Sequence, residues 1–312
     1  MWSKHTRQLI EAACEEDLGP AGDLTSALLK DGALEVEGRV VVRAPGVICG
    51  LALGPAICEV FSRRLGRPLE FTAAPHPSGL YADGANVTPG TCVAHVRGPK
   101  AALLSLERTL LNFQGRMSGV ATLTRRFVDA ARQANPEVRI LDTRKTLPGW
   151  RELDKYAVRA GGGHNHRFGL YDAVLIKDNH LAHIPLAGLV DELRAMLQHI
   201  LRPGPATGLD PPLPSVRRPS FIEVEVDTPA QLAEVCKVDG VDIVLLDNFT
   251  PDALCAAVAH RDAAGLRGKL ALEASGGIRL ETVAAIAATG IDRISIGALT
   301  HSAAALDVAL DI

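Results

Sequence analysis

Residues 139–181 read RILDTRKTLPGWRELDKYAVRAGGGHNHRFGLYDAVLIKDNHL. Two short apolar runs, Val138 to Asp142 and Ala173 to Lys177, each end in charged side chains, and between them a glycine triplet precedes His164, Asn165, His166 and Arg167. The segment holds eight Lys/Arg against five Asp/Glu, a net of +3 in a chain whose net charge is −3. A basic island in an acidic chain points to a compact anionic ligand, because focused positive potential concentrates anions where it is strongest. Nucleic acid would need a broader basic face and more aromatic side chains than the 4% present.

The pattern of the two flanking runs continues downstream. Phe221 to Glu225, Asp242 to Asp247, Lys269 to Glu273 and Arg293 to Gly297 read as further strands, with helical segments at Pro229 to Val235, Pro251 to His260 and Leu280 to Thr289. Repeating βα units imply parallel strands. Each run closes on a polar residue or glycine: Asp142, Lys177, Glu225, Asp247, then Glu273 to Gly277, and Gly297. Barrel enzymes assemble their sites from the carboxyl ends of several strands, so these six ends are read as a barrel mouth.

Upstream the period changes. Leu103, Leu106, Leu110, Phe113 and Met117 recur every three or four residues, a long amphipathic helix with Arg108 opposite its apolar stripe. Before it lies a small α+β region: a helix over Thr6 to Glu16, a strand over Glu35 to Arg43, a helix over Leu51 to Arg64, a strand from Leu69 to Ala73, and an extended run between Asp83 and Val96. Gly22-Asp23-Leu24-Thr25-Ser26 is read as a helix cap. No glycine loop follows these strands, so no nucleotide-binding unit is expected there.

A chain of 312 residues has room for two domains. The six cysteines are scattered without a CxxC pair, which points away from a disulfide framework or zinc ribbon and toward a reducing compartment. No run approaches the roughly 18 apolar residues of a membrane span. The N-terminus carries Glu11, Glu15 and Glu16 where a signal peptide would be apolar, so a soluble cytoplasmic protein is expected. Leu201 to Ser220, with six prolines, is expected to be an exposed loop without regular structure, and no chemistry is assigned to it.

Four groups of residues could carry chemistry. Ser275, Gly276, Gly277 and Gly297 follow the last two strands, where glycine lets backbone N–H groups approach a phosphate; ordinary βα turns are the alternative. His301 lies one turn beyond. Glu225 and Asp247 end adjacent strands and could hold Mg²⁺ or accept hydrogen bonds from sugar hydroxyls, or else balance Lys177 and Arg144 in an ion-pair network. Of the two acids in its strand, Glu225 is expected to face inward and Glu223 the other face. Arg144, Lys145, Arg167 and Lys177, with His166, are candidates for binding anions, since like charges gathered together repel unless a ligand compensates them. His164, His166, His180 and His183 raise a transition-metal alternative, which the surrounding cations disfavour.

Taken in order, Gly22-Asp23-Leu24-Thr25, Glu107-Arg108-Thr109-Leu110-Leu111-Asn112, Asp142-Thr143-Arg144-Lys145-Thr146, Gly161 to Arg167, Ile176-Lys177-Asp178-Asn179-His180, Glu223-Val224-Glu225-Val226, Leu246-Asp247-Asn248, Ser275-Gly276-Gly277 and Gly297 to His301 closely resemble the quinolinate phosphoribosyltransferases. The resemblance covers nearly the whole chain. It implies a type II phosphoribosyltransferase architecture: an N-terminal open-faced α/β sandwich (1–116), an incomplete α/β barrel (117–299), and a tail (about 300–312) returning to the first domain. It implies transfer of phosphoribosyl from phosphoribosyl pyrophosphate (PRPP) to quinolinate with loss of CO₂, assisted by Mg²⁺, in NAD biosynthesis.

By position in the motifs, Arg144, His166, Arg167, Lys177 and a neighbouring subunit's Arg108 should hold the quinolinate carboxylates. Lys145 should meet the pyrophosphate, Glu225 and Asp247 the ribose hydroxyls and metal, and Ser275, Gly276, Gly277, Gly297 and His301 the phosphate; Lys145, Lys177, Glu225 and Asp247 make up the catalytic set. The resemblance also implies a homodimer or larger assembly, in which Arg108 completes the neighbouring site. The competing readings are a related transferase for another ring acid, a metal-dependent barrel hydrolase using His164 and His166, and a non-catalytic phosphate-binding barrel.

Overall fold

The computed structural model describes residues 2–201 and 219–312, so most of the proline-rich stretch lies outside the described residues. The chain divides into two compact units. One comprises Met1–Arg126, Lys145–His164 and Gly297–Ile312; the other comprises Phe127–Arg144 and Asn165–Ile296.

The first unit is built on a four-stranded antiparallel sheet in the order Val308–Asp311, Glu35–Val42, Cys92–Pro99, Glu70–Ala73. The tail supplies the edge strand, with Arg39 opposite Asp311 and Val42 opposite Val308. Helices Lys4–Leu18 and Gly54–Leu65 pack together and bury Ile10, Cys14, Ile57 and Phe61. The first helix starts earlier than its apolar stripe because the Ser3 hydroxyl accepts the Thr6 N–H as a cap. Asp23 closes a turn: its carboxylate accepts the Ser26 hydroxyl and the N–H groups of Ser26 and Thr25, bonds that hold its carboxyl below the usual range.

The long helix runs Lys100–Ala134, and Leu103, Leu106, Leu110, Phe113 and Met117 are all buried, as their spacing requires. Glycine at position 119 has a steric cause. The returning tail lies against the helix so closely that a Cβ there would stand 1.9 Å from the Ala304 carbonyl oxygen. Leu306 N–H, one turn further along, donates to the Gly115 carbonyl at 2.9 Å.

The first unit extends through Arg126 of the long helix and also includes residues 145–164. Their helix, Arg151–Ala160, is tied in by side chains: Arg116 grips the fully buried Asp154, Tyr156 donates to Asp83 at 2.7 Å, and Glu152 accepts from the Ser3 and Thr6 hydroxyls. This helix was not read from sequence, nor was Leu189–Leu201, although the four-residue spacing of Leu189, Leu193 and Leu197 signals it.

The second unit is a six-stranded, all-parallel sheet: Arg139–Leu141, Val174–Ile176, Ile222–Val226, Ile243–Asp247, Ala271–Ser275 and Arg293–Ser295, the first to sixth barrel strands. Strands two to six pair in sequence order, and the sixth then pairs with the first. Among the described residues that is a barrel's circular order with one seam, between strands one and two, left unpaired: an incomplete barrel. The third strand is buried at all five positions, as expected of a strand covered on both faces. Thr228 and Thr250 cap the helices Pro229–Val235 and Pro251–Ala263, each with proline in the first turn. No described helix is long and apolar enough to cross a membrane.

Candidate active site

Asp142 stands just past the first strand, fully buried, and its carboxylate accepts the backbone N–H of His166 at 2.9 Å and the side-chain amide of Asn165. One acid at a strand end thereby pins the loop that carries His166 and Arg167. Arg167 is itself buried, and both burial and the nearby Arg144 guanidinium oppose its charge. Past the second strand, Lys177 donates to the Glu225 carboxylate of the third at 2.9 Å; the lysine side chain is half exposed while the glutamate is buried.

Asp247 ends the fourth strand, opposite Ser275 of the fifth. Its carboxyl is pushed up by burial first, then by the carboxylates of Glu225 and Asp227; Lys177 opposes them. Glu225 and Asp247 offer carboxylate oxygens, the donor type that Mg²⁺ takes.

The expected opposition of Glu223 and Glu225 does not hold. Side chains alternate with a period of two, so residues two apart share a face. Glu223 is fully buried at the same face, deeper along the strand, where His166 Nε2 lies 2.9 Å from Glu223 Oε2 and 3.4 Å from Glu273 Oε1. Arg293 Nε donates to Glu273 Oε2 at 2.7 Å and its guanidinium lies over the Phe221 ring. Burial, then Glu273, pushes the Glu223 carboxyl up. Burial also acts on Glu273, but His166 and Arg293 outweigh it and hold that carboxyl down. This charged layer supplies counter-charge from beneath to the basic groups of the mouth. Sequence reading missed it; the signal was a Glu-x-Glu pair in an otherwise apolar strand.

His166, Glu223 and Glu273 also have the spacing of a metal cluster. The hydrogen bonds decide against one. His166 Nδ1 accepts the Arg167 N–H at 2.8 Å, so a neutral ring carries its proton on Nε2, the atom a metal would need. Of the other histidines considered as ligands, His180 accepts the Lys177 N–H through Nδ1, and neither it, His164 nor His183 belongs to the cluster.

Lys145, Gly297 and His301 belong to the first unit, where they adjoin: a Cβ on Gly297 would lie 3.0 Å from Lys145 Cδ and 3.2 Å from the His301 ring. The Thr300 hydroxyl fixes this corner by donating to the Lys145 carbonyl at 2.7 Å. Arg108 stands apart from them, exposed on the long helix, on the wall of a cavity it shares with Asp17, Asn112 and Trp150.

A parallel sheet in barrel order, with cations and carboxylates at its strand ends and glycine turns after them, is the layout of an α/β-barrel enzyme acting on anions. Two family models match the chain. Quinolinate phosphoribosyl transferase, N-terminal domain, covers residues 23–118, and quinolinate phosphoribosyl transferase, C-terminal domain, covers residues 120–202 and 213–311. The chain belongs to the quinolinate phosphoribosyltransferase family. It is 40% identical over 308 residues to the nicotinate-nucleotide pyrophosphorylase [carboxylating] of Mycobacterium leprae, covering 98% of this chain and 96% of that protein. A probable enzyme of the same name from Bacillus subtilis is 39% identical, covering 98% and 93%. Among solved structures, NadC from Streptococcus pyogenes superposes with a TM-score of 0.81 at 30% identity, covering 100% of this chain and 97% of that one. The nicotinate-nucleotide pyrophosphorylase from Francisella tularensis gives 0.79 at 32%, with the same coverage.

Proposed function

We propose that this enzyme converts quinolinate and PRPP to nicotinate mononucleotide, pyrophosphate and CO₂, a step of NAD biosynthesis carried out in the cytoplasm. The observation that carries the choice of ring acid is the adjacency of Arg144 and Arg167. Burial and Arg144 both work against the Arg167 charge, and a ligand with two carboxylates relieves that strain better than one with a single carboxylate. In this reading Arg144, His166, Arg167 and Lys177 meet the quinolinate carboxylates, together with Arg108 from a second subunit of a homodimer. Glu225 and Asp247 face the ribose hydroxyls and hold Mg²⁺, which supplies positive charge for the departing pyrophosphate. Lys145 faces that same pyrophosphate, and the glycines after strands five and six, with Ser275 and His301, receive the 5′-phosphate.

The chemistry needs no protein nucleophile. The bond from C1 of the ribose to pyrophosphate breaks as the quinolinate nitrogen bonds to C1, and fixed cations stabilise the charge that leaves. The ring nitrogen is then positive and stabilises the electron pair left at C2 when CO₂ departs, until a proton takes its place.

Incubation with PRPP, Mg²⁺ and quinolinate labelled in its 2-carboxylate should release labelled CO₂ and nicotinate mononucleotide in equal amounts, and nicotinate should not replace quinolinate. Turnover of nicotinate, or PRPP binding without CO₂ release, would assign the site to another ring acid. The shared Arg108 has its own check. Arg108→Ala and Arg144→Ala proteins, each inactive alone, should regain about one quarter of wild-type activity when subunits are mixed, because half of the dimers then hold one intact site. Mixing without recovery would place Arg108 outside the site.

A further inference from the structure

Among the described residues other than glycine, Asn248 alone has a left-handed backbone, with φ at 56°. Such a conformation costs most residues about 1 kcal/mol or more, and asparagine tolerates it best. The position is at the mouth, directly after the fourth barrel strand. There the Asn248 N–H donates to the Ser275 carbonyl at 2.9 Å, extending the ladder between strands four and five by one bond. The left-handed turn folds the side chain back, and Nδ2 donates to Asp247 Oδ2 at 2.6 Å. Across the gap, Gly276 has φ of 92°, and a Cβ on it would fall 2.1 Å from Asn248 Oδ1 and 2.6 Å from its Cγ. The amide therefore occupies the volume that any side chain at 276 would need.

We propose that Asn248 is a positioning residue for the phosphoribosyl donor: it aims the Asp247 carboxylate and, packed against Gly276, sets the backbone of the glycine turn. The inference rests on the reading that Asp247 and Ser275 to Gly277 serve PRPP. The physical reason is geometric: one end of the Asn248 amide donates to Asp247 Oδ2 while the other fills the space beside Gly276, so both groups are fixed by the same side chain. A neutral amide donor restrains it without cancelling its charge, as a lysine would. A single side chain then links the carboxylates to the anion cradle, and the left-handed backbone is what lets it reach both.

Asn248→Gly keeps the backbone conformation and removes the amide; Asn248→Asp keeps the shape and turns the donor into a second carboxylate. Calorimetric titration of each dimeric protein with PRPP in Mg²⁺, and separately with quinolinate, reads the effect without turnover. Asn248→Gly should weaken PRPP binding by about 5- to 30-fold, and Asn248→Asp by more, with quinolinate binding held within about twofold. Gly276→Ala should reproduce the loss, and adding Asn248→Gly to it should cost little further, because the space is then vacated. PRPP binding unchanged in both Asn248 variants, while Asp247→Asn weakens it, would overturn the positioning role alone. PRPP binding unchanged in Asp247→Asn as well would remove the reading on which it stands.

Discussion

Replacing Arg144 by alanine is expected to lower kcat/KM for quinolinate by about 10²- to 10³-fold while leaving the KM for PRPP within about threefold. A guanidinium donates two parallel, charge-assisted bonds to a carboxylate, and truncating one partner of such a desolvated pair costs about 2–5 kcal/mol. Two features of this site set the expected size. Arg144 is close enough to Arg167 to oppose its charge, so deleting Arg144 relieves Arg167 and returns part of the loss. The acids beneath the mouth remain after the deletion: Asp142 on the loop backbone, Glu223 and Glu273 under His166. With one cation fewer above them, the local potential turns less favourable for a dianion. The two effects oppose each other, and the lost fork dominates. Arg144→Lys restores the charge without the planar fork and should recover only part of the rate, leaving about a tenfold deficit. Steady-state kinetics with each substrate varied in turn separates the cases. An equal rise in both KM values would mean that Arg144 shapes the mouth instead of binding the ring acid.

Much of this layout was readable from residue order because the chemistry lies where strands stop. Lys177 and Asp247 are each the first charged group after an apolar run, Glu225 is the last charged group of its strand, and the helices opening with Thr-Pro at 228 and 250 mark the βα repeat locally. The stripe on the long helix likewise placed Arg108 on its exposed side. What could not be read depends on contacts between segments distant in sequence. The helix at Arg151–Ala160 belongs to the first unit because Asp154 finds Arg116. The buried acid layer is of the same kind: Glu223, Glu273 and Arg293 come from three strands and meet only when the sheet closes around them. The left-handed turn at Asn248 lies against Gly276, a meeting that no local pattern announces.

The acid layer also makes the largest stability prediction. Arg293→Met should destabilise the enzyme by about 3–5 kcal/mol, a drop of roughly 5–8 °C in melting temperature for a chain of 312 residues. Glu273 has no exposed surface, and removing Arg293 leaves it beside Glu223 with only His166 to offset two carboxylates. Methionine fills most of the arginine's volume, so the cost is that of an uncompensated buried charge and not of a cavity. The pH dependence carries a definite sign. In the wild type Glu273 is held below its ordinary range, so its contribution is present above the unfolded carboxylate pKa and is lost as pH falls through the folded value. Without Arg293, burial is opposed by His166 alone and the carboxyl moves up, so the variant loses stability as pH rises through that raised value. Its deficit should therefore be larger at about pH 8 than at about pH 5. Adding Glu273→Gln to Arg293→Met removes the stranded charge and should recover most of the loss and flatten the pH dependence. Urea unfolding of the three proteins at both pH values reads all of this. A deficit below about 1 kcal/mol, or one independent of pH, would mean that the layer is hydrated enough to do without its arginine.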